Sequence, residues 1–520
     1  MVRELRPEQH PSREAAFPRR IHAPQMQIPA LIGYKPKCMK SRLGIFAFRL
    51  FLAIACGVIM RQVVDLHPDW WAVWLAPGLL LTIALRYPPR TAPWMVALAA
   101  VMGTSVNFHY FRLVMPLTGA MLSVVLQALL WIFLVLASSR VVLRYRAWWT
   151  VFVYPVLWVA ADTLMAALLP DGDWGSLAYS QGDNLLVLQI ASVFGMCGVL
   201  FLLALVPSAL AMAVGLGNGV RRGWLAYAST VVLLGASPLY GYFRLQTPVS
   251  GTPVVFGLIS IDNPIGVKAP AQYAANILDE YDRRVAGLAV QGAQYVVLPE
   301  KIGVFRPAAA DDEKHRLSAD AQQDHVWLEA GIGIDDGTRP TNWAWLFAPD
   351  GSLDASYEKH HMAPPERREN YAVGHDYTVA TVDGGRWGMA ICKDMHFAAL
   401  GREYGERHAA VMLVPAWDFA YLDGWLEART TVMRGIENGY SIVRASREGL
   451  LTVSDPFGRI LAETASSAMP GRSLLVKAQI PPQVQTLYTR IGNLLGWFCV
   501  VAAAVFLAMG RRRPAVRDIT

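Results

Sequence analysis

The chain has 520 residues, 54% of them hydrophobic and only 17% charged, where an ordinary soluble domain has about a quarter charged. Its net charge of +7 does not point to nucleic acid, because much of the basic excess sits in short loops beside apolar runs, where it reports membrane topology. The apolar residues are also unevenly placed: they fill roughly 42–243 and 490–509, while 250–485 has a soluble composition and is long enough for one large α/β core.

In chain order, residues 1–42 form a basic tail with no apolar h-region, read as a cytoplasmic tail and not as a cleaved signal peptide. A seven-span bundle is expected over 43–244, since a span needs about 20 apolar residues; spans begin near Leu43, Trp70, Pro93, Leu117, Trp148, Leu185 and Gly223. A last span over 490–510 begins near Ile491, and 511–520 form a second tail. Arg86 and Arg90, then Arg140, Arg144 and Arg146, then Arg221 and Arg222 fall in alternate loops, and both tails are rich in Lys and Arg. The intervening loops carry Asp65 and Asp69, Arg112 alone, and Asp171, Asp173 and Asp183. With seven spans plus one, all the basic segments share one side. Both termini are then cytoplasmic, and 250–485 faces the periplasm of a Gram-negative cell. Arg49, Arg61 and Asp162 are the few charges inside spans, and their scarcity argues against a proton-coupled transporter.

The aqueous block opens TPVVFGLISIDN, continues with AQYAANILDEYDRRVAGLAVQGAQ at helical spacing, and reaches YVVLPEKIG. Strand, helix and strand in that order predict a βαβ unit, with Glu300 past the carboxyl end of a buried strand, where active sites of open α/β folds gather. A hairpin turning at Pro349-Asp350-Gly351 ends near Lys359. RWGMAICKDMHF predicts a strand that delivers Cys392, and AAVMLVPAWDF another, followed by a helix from Gly424 to about Asn438. GYSIVRASREG adds a strand, and a further hairpin turns around Asp455-Pro456-Phe457-Gly458. The fold class is a multi-span helical membrane bundle plus an α/β sandwich.

Of the five cysteines, Cys392 alone belongs to the aqueous block, so it is a free thiol outside the reducing cytoplasm. A thiol must lose its proton to attack a carbonyl. A carboxylate takes that proton, and an ammonium stabilises the thiolate and then the oxyanion. Glu300, Lys359 and Cys392 together make an acyl-transfer set, although each alone reads equally as a surface charge or a small buried residue. His360, His361 and His396 lack the spacing of a zinc site. Trp417, Phe419 and Tyr421 either line an acyl pocket or fill the core.

LPE at 298–300, YEKHH at 357–361 and AICKDMHF at 390–397 resemble the Glu, Lys and Cys motifs of the nitrilase, or carbon–nitrogen hydrolase, superfamily. Seven spans before such a domain and one after it resemble the apolipoprotein N-acyltransferases, and DWGSLAYSQGDN and MRGIENGYSIVRASREG look like further matches. The resemblance implies an αββα sandwich with Glu300 as general base and acid, Lys359 as oxyanion partner and Cys392 as nucleophile. It implies an acyl chain taken from membrane phospholipid as a thioester and passed to the N-terminal amine of a diacylglyceryl-cysteine lipoprotein, with no cofactor, metal or nucleic acid; a monomer is expected. Glu366 and Asp394 stand as supporting residues, and Trp417, Tyr421, Tyr179 and Gln181 as substrate contacts, the last two alternatively as domain contacts. Two motifs depart from the family pattern: Ala363-Pro364-Pro365-Glu366 replaces Pro-Phe-Gly-Glu, and Lys393-Asp394 replaces Tyr-Glu after the cysteine. The 33 residues from Lys359 to Cys392 leave little room for a large lid. The alternative reading is a membrane-anchored amidase with the same three residues, told apart by whether an apolar cleft runs from Cys392 toward the bilayer. A transporter or scaffold whose outer domain only binds is the third.

Overall fold

The structure, a computed structural model, describes residues 42–511; the tails expected over 1–42 and 511–520 lie outside them apart from Arg42 and Arg511. The chain forms two units, one up to Phe48 and one from Arg49 onward. The first, as described, is the opening of the helix Arg42–Val64.

Among the described residues, five helices are long and apolar enough to cross a membrane: Arg42–Val64, Leu117–Tyr145, Trp148–Leu168, Ala191–Gly219 and Leu494–Arg511. The expected span at Trp70 is shorter, dividing into Trp70–Leu75 and Pro77–Arg86 where Pro77 brings no N–H to the helical ladder. From Pro93 the helix Ala92–Thr104 gives way to a 3₁₀ turn and then Phe108–Val114. The helix expected from Leu185 begins as one short turn, Leu185–Leu188, and resumes as Ala191–Leu216 with a kink at Gly195, φ 62°. A Cβ on Gly195 would lie 2.4 Å from the Tyr488 ring, so glycine alone permits both the kink and the contact. The helix Gly223–Leu245 starts where expected. Of the charges within the spans, Arg49 lies over the Tyr87 ring, Arg61 donates to Ser105 Oγ at 3.2 Å, and Asp162 accepts from Ser176 Oγ at 3.1 Å.

The aqueous block forms two sheets. β1 (Thr252–Ser260), β2 (Tyr295–Val297), β3 (Val304–Phe305), β4 (Trp327–Ile334), β5 (Thr341–Phe347) and β6 (Leu353–Glu358) belong to the first. β7 (Val379–Val382), β8 (Gly385–Met389), β9 (Val411–Trp417), β10 (Ser441–Arg447), β11 (Leu450–Ser454) and β12 (Ile460–Ala465) form the second. β13 (Arg472–Ile480) returns to pair antiparallel with β1. The first sheet runs β13-β1-β2-β4-β5-β6, with β3 beside β4, and the second β12-β11-β10-β9-β8-β7. The predicted βαβ unit is present: β1 and β2 are parallel, joined by the helix Ala271–Val290. Phe256, Leu258, Tyr295 and Val297 of one sheet meet Trp387, Met389, Leu413 and Val443 of the other. The helices Ala271–Val290 and Pro307–Asp324 cover the outer face of the first sheet through Tyr281, Val285 and Leu317. Leu400 and Tyr404 of Ala398–Glu406 cover the second. Four layers, αββα, result.

The helix Gly424–Asn438 joins this sandwich to the bundle. Its Leu426, Val432, Met433 and Ile436 pack into the same apolar core as the membrane helices. Its Arg434, 0% exposed, donates to Tyr179 Oη at 2.6 Å and pairs with Asp173 at 3.1 Å and Glu437 at 2.9 Å. Glu437 in turn accepts the Met196 N–H at the kink. An apolar seam with a paired buried charge at its centre joins the two parts.

One group inside the sandwich works against stability. Glu329 on β4 is fully buried, and neither carboxylate oxygen has a hydrogen-bond partner among the described residues. Burial raises its pKa far above the usual carboxylate value, so the folded state keeps a proton that the unfolded chain releases above about pH 4.3. Folding stability from this group is therefore full below that pH and declines as pH rises toward the folded pKa. Glu329→Gln is expected to match the parent in thermal unfolding near pH 4 and to exceed it at pH 8 by roughly 2 °C or more in Tm; equal Tm values at pH 8 would refute this.

Candidate active site

The chain ends of the two sheets deliver the candidate residues to one point. Glu300 lies three residues past β2, its N–H donating to Ala416 O of β9 at 3.3 Å. The loop runs so close over β4 that a Cβ on Gly331 would lie 2.5 Å from the Glu300 Cα; glycine there is a requirement of the approach. Lys359 directly follows β6, its N–H bonded to Asn342 O at 2.9 Å. Cys392 opens the 3₁₀ helix Cys392–His396 with φ 46°. Left-handed backbone at a non-glycine residue holds strain, and such strain gathers at functional sites.

The side chains converge in a buried network. Lys359 Nζ donates to Glu300 Oε1 at 2.7 Å and to Glu366 Oε2 at 2.8 Å. Lys301 Nζ donates to Glu366 Oε1 at 2.7 Å and lies 3.9 Å from Glu300. Asn342 Nδ2 bridges the carboxylates, 2.6 Å from Glu300 and 2.8 Å from Glu366. Two carboxylates and two ammonium groups thus neutralise one another out of water. Burial opposes ionisation of Glu366, yet Lys359 and Lys301 hold its carboxyl far below the usual range. Burial likewise opposes the charge on Lys359, and Glu300 and Glu366 overcome it, holding its pKa well above the ordinary value. The Cys392 thiol goes the other way: burial and then Glu300 raise its pKa, and Lys359 only partly offsets them. It rests as S–H, donating to Trp417 O at 3.5 Å, and needs a base before it can attack.

Asp394 fastens the lysine loop to the cysteine turn. It accepts from Tyr357 Oη at 2.8 Å, from the N–H groups of His360 and His361 at 3.2 and 2.8 Å, and from the Ile391 N–H at 3.0 Å. Lys393, which follows Cys392, donates to Asp171 Oδ1 at 2.6 Å, in the loop following the helix Val153–Leu168. Lys301 and Asn342 were not singled out from sequence. Lys301 carried a signal, adjacency to Glu300 at a strand end; Asn342 sits mid-strand and carried none.

An apolar cavity of about 330 Å³ joins this point to the bundle. Cys392, Trp417 and Phe419 line one end. Leu126, Leu130, Trp131, Trp158 and Met165, from two membrane-type helices, line the other. Of the expected substrate contacts, Trp417 lies on the cavity wall, its ring under the guanidinium of Arg447. The other three do not line it. Tyr421 is half exposed and bonds Asp262, Tyr179 holds Arg434 at the domain seam, and Gln181 is buried between Trp74 and the Trp70 carbonyl.

Two family models match the chain: the apolipoprotein N-acyltransferase N-terminal domain over residues 57–209 and the carbon–nitrogen hydrolase domain over 269–486. The chain is 26% identical to the apolipoprotein N-acyltransferase of Geobacter metallireducens over 70% of this chain and 74% of that one. It is 27% identical to the apolipoprotein N-acyltransferase of Gloeobacter violaceus over 86% and 92%. A deaminated glutathione amidase of Yersinia enterocolitica is 29% identical, over only 30% of this chain. With both models matched in order, and relatives of that one name aligned across bundle and sandwich together, the chain belongs to the apolipoprotein N-acyltransferase family of the nitrilase superfamily.

Proposed function

We propose that this protein is an N-acyltransferase of the bacterial inner membrane. Cys392 takes a fatty acyl chain from phospholipid as a thioester and gives it to the N-terminal amine of a diacylglyceryl-cysteine lipoprotein. The observation that carries this reading is the apolar cavity running from the Cys392 end of the sandwich between membrane helices. An enzyme for small soluble amides has no use for such a shaft, whereas an acyl chain entering from the bilayer needs one.

Glu300 removes the Cys392 proton as sulfur attacks the ester carbonyl, then returns it to the departing lysolipid oxygen. Lys359, hydrogen-bonded to Glu300, stabilises the oxyanion. Glu366 and Asn342 position both groups, and these residues supply base and cation without calling on a cofactor. The Lys and Arg asymmetry of the loops supports cytoplasmic termini and a periplasmic catalytic domain in a seven-plus-one arrangement of spans.

Purified protein incubated with phospholipid should carry a fatty-acyl adduct on Cys392 by mass spectrometry, absent in Cys392→Ser. Glu300→Gln should slow its formation by about 10²-fold or more. An unmodified Cys392 under turnover, alongside cleavage of small amides, would instead favour the amidase.

A second expectation separates acidity from catalysis. Because burial and the Glu300 charge raise the Cys392 pKa, alkylation by iodoacetamide should be slow at pH 7 and climb as pH rises past 9. Glu300→Gln removes one of those influences. It should alkylate faster than the parent at any given pH, although it acylates more slowly; slower alkylation would contradict the assigned electrostatics.

A further inference from the structure

The cavity that starts at Cys392 ends on two tryptophans. On the helix Leu117–Tyr145 its wall comes from Ser123, Leu126, Gln127, Leu130 and Trp131, and on Trp148–Leu168 from Trp158, Asp162 and Met165. Both sets follow the three-and-four spacing of a single helix face, so the cavity runs lengthwise between the two helices. Trp131 and Trp158 stand deepest on these faces, farthest from the loop that carries Asp171 and Asp173. They are 3% and 5% exposed, with their rings in edge contact at 4.7 Å between centroids. Tyr154, one turn further along, packs on Trp158 and is no part of the wall. Leu126 and Leu169, nearer the sandwich, are more than half exposed. The shaft is thus open toward the lipid in its upper part and shut by indole rings below.

The polar side chains of these two faces stand one turn or more above the pair. Gln127 lies one turn above Trp131, and its Oε1 has no partner among the described residues. Asp162 lies one turn above Trp158 and accepts from Ser176. Ser123 lies two turns above Trp131 and donates to Met115 Sδ at 3.5 Å. The stretch from Trp158 to the end of its helix at Leu168 is about 15 Å long at the α-helical rise. An extended chain advances about 1.2 Å per bond, so about twelve carbons lie along the helix. The carbons that cross from Leu168 to Cys392 add to them.

We propose that the Trp131–Trp158 pair sets the longest acyl chain that Cys392 accepts. This rests on the acyl-thioester reading above and adds a limit on the substrate. The carbonyl carbon must reach Cys392 to be attacked, so chemistry fixes one end of the chain. The two rings fix the other. A chain that stops short of them leaves a void and gives up burial. A chain that reaches them fills the shaft. A longer one must push indole rings into the packed core that includes Leu134, Val135 and Tyr154, and such cores do not expand to take added methylenes. Straight chains a few carbons longer than twelve are the class the shaft fits.

The test gives full-length protein in micelles an equimolar mixture of phosphatidylethanolamines with saturated chains of twelve to twenty-two carbons, and resolves the Cys392 adducts by intact mass. The parent should use chains up to a limiting length and discriminate against longer ones. Trp158→Phe and Trp131→Leu deepen the shaft. Each should raise the use of chains past the limit, relative to chains at it, by about tenfold or more. Met165→Trp, about two turns nearer the sandwich, should lower the limit while the shortest chains are still taken. Leu122→Ala, on the same helix as Trp131 but facing outward, should keep the parental profile. A parent that takes all lengths equally would overturn the proposal. So would a limit that fails to rise in the deepened variants or to fall in Met165→Trp, or one that Leu122→Ala moves as far. A parent that forms no adduct at any length would overturn the acyl-thioester reading itself, a result distinct from a flat profile.

Discussion

Two glutamates and two lysines share a site with almost no water, and each is tolerable only because of the others. Moving a single carboxylate or ammonium out of water costs several kcal/mol, and removing one partner of a buried pair typically costs about 3–5 kcal/mol through the charge left behind. Glu300 and Lys301 come from the loop past β2, and Lys359 and Glu366 from the connection that runs from β6 into the short helix Pro364–Arg368. Their mutual neutralisation therefore closes those loops upon one another. The same network that keeps Lys359 charged and aimed at Glu300 is a condition for the sandwich being folded at this end.

The cavity that opens from the Cys392 end of the sandwich lies at the domain seam. The helix Gly424–Asn438 gives one face to the sandwich and one to the bundle. Arg434, buried without exposure, couples it to Asp173 and Tyr179 of the loop that follows the helix Val153–Leu168. Lys393 to Asp171 makes a second tie from the cysteine turn to that same loop. The cavity between the two parts thus has walls held from both sides.

The sequence carried the sandwich, the βαβ unit and the positions of Glu300, Lys359 and Cys392 because strands announce themselves as short apolar runs and these three residues stand at or just past strand ends. It also carried the helix from Gly424 to about Asn438, which ends at Gly439 with φ 73°. It carried less where long-range contact decides. Asn342 lies mid-strand, and its role depends on two carboxylates delivered from elsewhere. Tyr179 and Gln181 sit in a loop that looks exposed by composition, yet they are buried against Arg434 and Trp74. The break at Pro77 and the kink at Gly195 shorten helices that hydropathy alone draws as continuous.

The two motif departures are resolved by the surrounding structure. Without the family's glycine, Pro364 and Pro365 begin a short helix, where proline is favoured because the first N–H groups have no helical partner. Glu366, three residues after Ala363, then accepts the Ala363 N–H at 2.9 Å while its oxygens face both lysines. A glutamate one place early in sequence still reaches the lysines, because the helix turn takes up the offset. After the cysteine, Asp394 is a carbon shorter than the usual Glu, and four hydrogen-bonded groups from the lysine loop and the cysteine turn close around it. Lys393, lacking the aromatic ring expected there, uses its ammonium to bind the bundle through Asp171. Lys393 therefore makes an ionic contact between the two halves, while Asp394 ties the cysteine turn to the loop that carries Lys359.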